Sequence, residues 1–226
     1  MYDNEIAIIL AGRSYIYKIL KQVFGHEPNL QLLKTITGKF TEEVMEIFLK
    51  EDQLISYNEL FAQIKQAIID NEDLLERIKS EYVYLMLGPN KLPAPPWESV
   101  YINKERVIFQ QSTLKVRQAY LEYQLLPAEY PHVADDHIAI ELDFMFRLGQ
   151  LCQESFEKED MQRLKKLLSD QKNFLGNHLL VWINDFSIEI KESQTHYFYP
   201  QMASLTADIL HSDHDVIKEL LSLINV

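Results

Sequence analysis

The chain of 226 residues has a single cysteine, Cys152, and only six glycines. One thiol excludes an internal disulfide and a four-cysteine zinc site, so nothing in the sequence demands an oxidising compartment. Scarce glycine leaves little material for phosphate-cradling loops; the GxxxxGK[ST] pattern is absent and no nucleotide site is assigned. No stretch reaches the roughly 18 consecutive apolar residues of a membrane span. The opening MYDNEIAIILAGRSY carries Asp3 and Glu5 where an export leader would be basic. The expected protein is therefore cytoplasmic, with neither an export leader of its own nor stable membrane insertion. Tandem repeats and low-complexity tracts are also missing. Basic residues are in the minority, 22 Lys and Arg against 34 Asp and Glu. The formal charge of -12 disfavours nucleic acid and anionic membrane and favours a cationic partner.

What is present is helical periodicity. With 47% hydrophobic residues the chain can bury a sizeable core. Ile6, Ile9, Arg13, Ile16, Leu20 and Phe24 step by three and four, as do Leu75, Ile78, Tyr82 and Leu85, and Phe174, His178, Trp182, Phe186 and Ile190. Ser56 to Glu59 reads as a capping box before Leu60, Thr41 as a helix start ahead of two glutamates, and Asp213 as the opening of the final helix. The strand-like run RVIF, Arg106 to Phe109, reads as extended loop. The pattern predicts an all-α fold, a compact bundle of about ten helices. Residues 1–226 are expected to form one domain: a helical section to about residue 87, a proline-rich connection over 88–111, and a second helical section over 112–226, each covering the other's apolar faces.

The connection contains GPNKLPAPPWESVY, with four of the chain's eight prolines. Gly88 reads as a helix C-cap, and Pro89 after it forbids continuation. Pro93, Pro95 and Pro96 fix their own φ and push each preceding residue into extended backbone, which predicts a stiff strut holding Trp97 and Tyr101. Trp97 fits two roles at this point, a plug between helices or one aromatic wall of a peptide groove. About forty residues on stands HVADDHIAIELDFM, His132 to Met145. One of Asp135 and Asp136 is predicted to cap the helix whose apolar face is Ile138, Leu142, Met145, Leu148 and Cys152. His137, four residues before Glu141, is predicted in its first turn, tethered by these acids. Asp135, Asp136, His137 and Glu141 together suit the side chains of arginine or lysine.

GPNKLPAPPWESVY, then STLKVRQAY, then ADDHIAIELDFM, resembles the TorD/DmsD family of cytoplasmic chaperones for molybdenum-containing oxidoreductases, to which NarJ is a more distant relative. The resemblance runs on through NFLGNHLLVWINDF and HYFYPQMASL. It implies an all-helical fold, no catalytic turnover and no cofactor of its own. The partner it implies is the immature catalytic subunit of a molybdopterin-dependent enzyme with its twin-arginine leader, held until the cofactor is inserted and kept from premature export. The family's proline-tryptophan motif falls on Pro95, Pro96, Trp97, Glu98 and Tyr101, and its aspartate-histidine motif on Asp136 and His137. Members often carry Glu-Pro just before the acidic pair; here the stretch is YPHVADDH, with Pro131 displaced. A groove for such a leader needs acids beside aromatic and apolar surface, and Asp135, Asp136 and Glu98 with Trp97, Tyr101 and Phe109 supply both.

Two other functions fit the same residues. His132, Asp135, Asp136, His137 and Glu141 include enough nitrogen and oxygen ligands for a metal-dependent hydrolase, although His178 on its apolar face reads as a core histidine. A general scaffold for amphipathic helices would need the same groove without an export role. The pattern sets no oligomeric state.

Overall fold

The computed structural model describes residues 2–70, 73–88, 91–126 and 133–224. Its helices are α1 (Tyr2–Gly25), α2 (Leu30–Ile36), α3 (Lys39–Met45), α4 (Glu51–Ile69), α5 (Leu74–Tyr82), α6 (Glu98–Ile102), α7 (Gln111–Glu122), α8 (Ile138–Glu157), α9 (Met161–Phe174), α10 (Leu180–Glu192) and α11 (Tyr199–Leu223). A π-helical turn, Val83–Leu87, prolongs α5, and a second, Leu175–Leu179, joins α9 to α10 without a break. No β-strand occurs among the described residues, so the fold is all-α, as the spacing predicts; Arg106 to Phe109 is loop. Among the described residues no helix is long and apolar enough to cross a membrane.

The core is built on α1 and α8. Lys21 pairs with Asp143, Gly149 faces Ser14, and Gln153 Nε2 donates to the Leu10 carbonyl at 3.2 Å. Numbers rise on one helix as they fall on the other, so the two run antiparallel. The approach is close: a Cβ on Gly25 would lie 2.9 Å from the Ala139 Cβ. Ile16, Leu20 and Phe24 of α1 and Ile138, Leu142 and Met145 of α8 are fully buried, as their helical spacing requires.

Arg13 also lies on that buried face, and its charge is met from α11. Arg13 Nε donates to Asp213 Oδ1 at 2.6 Å, Nη2 to Oδ2 at 3.0 Å, and the Tyr17 hydroxyl to Oδ2 at 2.7 Å. Asp213 therefore does not open the final helix. It sits inside α11, which starts at Tyr199 with Pro200 in its first turn. The start of α11 is held by a carboxylate from α5. Glu81 Oε1 accepts the N–H groups of His196 (2.6 Å) and Tyr197 (2.8 Å), and Oε2 those of Phe198 (3.0 Å) and Tyr199 (3.3 Å). Free N–H donors and the dipole at a helix start both favour an anion there.

Two further cap expectations fail for the same reason, that the helices begin earlier than a local motif suggests. Ser56 lies inside α4, whose start is held by Gln53 Oε1 accepting the Lys50 N–H at 2.9 Å. Thr41 is buried within α3, and its hydroxyl donates to the Thr35 carbonyl at 2.6 Å. Gly88 behaves as expected: it ends the first π-turn at φ 73°, a left-handed value that a Cβ disfavours.

Candidate functional site

The fold brings the proline-tryptophan and aspartate-histidine motifs together and joins them through the main chain. Pro96 O accepts the Ile138 N–H at 2.9 Å, Asp136 O accepts the Glu98 N–H at 3.0 Å, and Trp97 faces His137 in an isolated antiparallel bridge. Asp136 Oδ2 then accepts the Ser99 N–H at 2.7 Å, so its carboxylate serves the N-terminal donors of α6. This turns it away from α8. The N-cap of α8 is consequently neither aspartate but His137, whose Nδ1 accepts the Ala139 N–H at 3.1 Å. Its ring is not tethered by the acids; it stands edge-on to Trp97, with centroids 5.4 Å apart.

Glu98, Asp135, Asp136 and Glu141 are all buried, at 1% exposure or less, so they do not form a surface patch. Each has a partner inside the chain, as buried charge requires. Asp135 Oδ2 accepts from Arg117 Nε (2.9 Å) and Nη2 (2.6 Å), and its carbonyl accepts from the Tyr120 hydroxyl at 2.9 Å. Glu98 Oε2 lies 2.9 Å from His178 Nδ1, and Trp182 Nε1 donates to Glu141 Oε2 at 3.4 Å. Burial, then the charges of Glu98 and Asp136, push Glu141 well above the usual carboxylate range. Burial pushes the His137 pKa down to about 4, so the imidazole is neutral and free to act as a cap acceptor.

Above this buried layer Pro95, Trp97, Tyr101 and His137 are partly exposed, while Pro96 is buried. Tyr101 stacks on Trp182 (centroids 5.3 Å, 28° between planes) and its hydroxyl donates to Glu189 Oε2 at 3.1 Å. A cleft of about 380 Å³ opens along the proline segment, lined by Pro93, Pro95, Val100, Arg106 and Glu189 among others. Phe109, expected beside Trp97 and Tyr101, is exposed on the loop beyond α6. His132 and Pro131 lie outside the described residues. Among the described residues no group of three or more His, Cys, Asp and Glu side chains is arranged to hold a metal ion.

The family model described as "Nitrate reductase delta subunit" matches residues 53–187, which span both motifs and the helices that hold them. The chain belongs to that family. Among the family's relatives it is 28% identical over 193 residues to the probable Tat proofreading chaperone DmsD of Haemophilus influenzae, covering 85% of each chain. It is 24% identical over 212 residues to the chaperone protein TorD of Aliivibrio salmonicida (93% of this chain, 96% of the relative). With the TorD of Shewanella pealeana it shares 26% identity over 222 residues (93% and 91%). Family and relatives support a redox-enzyme maturation chaperone and give the hydrolase alternative no support.

Ser99, Arg117 and Tyr120 belong to the site with no role predicted for them from the sequence. The last two stand in STLKVRQAY three residues apart, on one helix face, which was the available signal. Ser99 contributes main-chain groups, its N–H donating to Asp136 and its carbonyl accepting from Asn103 Nδ2, and no side-chain signal exists for those. His178 is a satisfied core histidine as expected, and its partner proves to be Glu98.

Proposed function

We propose that this chain is a cytoplasmic, non-catalytic chaperone that binds the twin-arginine leader and the immature catalytic subunit of a molybdopterin-dependent oxidoreductase. It would aid cofactor insertion and prevent premature export. The observation that carries the proposal is the main-chain clasp between residues 96–99 and 136–138, which fixes Trp97 against His137 in a chain of this family. A rigid, partly exposed ring beside stiff proline backbone offers contact area at small ordering cost. In this reading Pro95, Trp97, Tyr101 and His137 meet the leader. Pro96, Glu98, Asp135, Asp136 and Glu141 hold them in place from beneath. The chain's overall negative charge speeds the encounter with a cationic leader.

Calorimetric titration with synthetic peptides carrying twin arginines and an apolar segment tests the proposal. The expected affinity is micromolar or tighter, about -8 kcal/mol. Trp97→Ala should weaken it with helix content unchanged, and a molybdoenzyme catalytic subunit should co-isolate with the full chain. Failure of every such leader to bind, together with no such subunit, rejects it.

A further inference from the structure

A second cleft, of about 480 Å³, lies between α4, the end of α10 and the first half of α11. Its size falls within the roughly 300–1,000 Å³ of small-molecule sites. Helical spacing builds it. Gln53, Ser56 and Leu60 share one face of α4, and Gln201, Ser204 and Asp208 share one face of α11, three or four residues apart in each case. Tyr57, Leu60 and Leu205 are buried and supply its apolar lining, while the serines and glutamines supply neutral hydrogen-bonding groups. The cleft shares no lining residue with the one along the proline segment. Glu189 of α10 faces that first cleft, and Lys191, on nearly the opposite side of the same helix, faces this one.

Charge decides what fits there. Asp52, Asp208 and Lys191 line the cleft, and none of the three is in an ion pair among the described residues. Asp208 is half-buried. Burial raises its pKa, and a hydrogen bond from Gln53 and the charge of Lys191 offset this only in part. The nearby His211 is held by Asn184 at 3.2 Å. A cation brought to Asp208 therefore meets a carboxylate that has lost part of its water and gained an amide in return. The three charges also select against simple ligands. An anion meets two carboxylates, a plain diamine leaves Lys191 unmatched, and a zwitterion with one cationic group leaves one aspartate unmatched. The complement has one carboxylate and two cationic groups joined by an apolar stem.

We propose that this cleft binds a free basic amino acid of the lysine or arginine class, with its carboxylate on Lys191, its two cationic groups on Asp208 and Asp52, and its methylenes against Tyr57, Leu60 and Leu205. The inference goes beyond the chaperone proposal and does not depend on it. Charge-assisted hydrogen bonds would fix the orientation of the ligand, and burial of its stem would add contact energy.

The test titrates the full chain with L-lysine and L-arginine, and with two probes that each lack one group: L-norleucine, without the side-chain cation, and cadaverine, without the carboxylate. At least one of the two basic amino acids should bind with a Kd of about 1 mM or tighter, and norleucine and cadaverine about tenfold or more weakly than lysine. Asp208→Asn should weaken lysine by about tenfold, the loss of one charge-assisted contact. Lys191→Met should weaken lysine several-fold and leave cadaverine no weaker than before. Circular dichroism checks that both variants fold; should Asp208→Asn not, Ser204→Phe, which fills the cleft, takes its place. Lysine and cadaverine that bind alike would report only attraction to an acidic chain and overturn the proposal. Amino-acid binding that neither variant changes places the ligand elsewhere and also overturns it, as does a chain that binds neither lysine nor arginine in the millimolar range.

Discussion

The carboxylate of Asp136 accepts the main-chain N–H of Ser99 at 2.7 Å, 37 residues away in the chain. An aspartate expected to start its own helix instead starts another, and that exchange locks the two motifs together. Asp136→Ala leaves a buried donor unpaired and should lower stability by about 1–3 kcal/mol, with Asp136→Asn in between because it keeps an acceptor. Chemical denaturation reads the cost. Because the carboxylate is buried, any accompanying loss of leader affinity should be insensitive to salt; a deficit that shrinks with salt would mean that Asp136 meets the leader's arginines directly.

Arg13 and Asp213 form a buried ion pair between α1 and α11. Asp213→Ala strands the guanidinium and should cost about 3–5 kcal/mol. The triple variant Arg13→Met/Asp213→Leu/Tyr17→Phe, which also removes the hydroxyl that donates to Asp213, should recover most of that loss in urea unfolding, because removing every member of the buried network removes the desolvation penalty with the attraction. A triple variant as unstable as the single would show that the charges themselves hold the helices.

Glu81 accepts four main-chain N–H groups where α11 begins, those of residues 196–199. Glu81→Ala should cost about 2–3 kcal/mol, since hydrogen bonds to a charged acceptor are among the stronger ones. Amide exchange at residues 196–199 should quicken more than exchange in α8, which keeps its own cap.

His137 is held neutral, with its pKa lowered from 6.5 to about 4 by burial. The unfolded chain therefore binds a proton on this residue at a pH where the folded chain does not. The stability it contributes is present above about pH 6.5 and is lost as the pH falls toward 4. Glu141, raised by burial and by Glu98 and Asp136, works in the opposite sense, so the comparison must be with a variant. His137→Gln should show a flatter decline in unfolding free energy between these limits than the wild type. Identical slopes would place the titration elsewhere.

Much of the fold was legible in the sequence, because helix periodicity and apolar burial follow from residues a few positions apart. Ile16, Leu20 and Phe24, and Trp182, Phe186 and Ile190, are buried as their spacing requires, and Gly88 ends its helix as a residue without a Cβ can. The resemblance also named the two motifs that meet. Which polar group pairs with which was decided only by tertiary structure. Asp213 looked like a cap because a local pattern records nothing about Arg13, 200 residues away. Asp135, Asp136, Glu98 and Glu141 looked like a patch for a cationic partner because composition records charge and not depth. Once packed, each carboxylate had lost its water, and the donors and protons that replace it come from distant positions: Arg117, Ser99, His178 and Trp182.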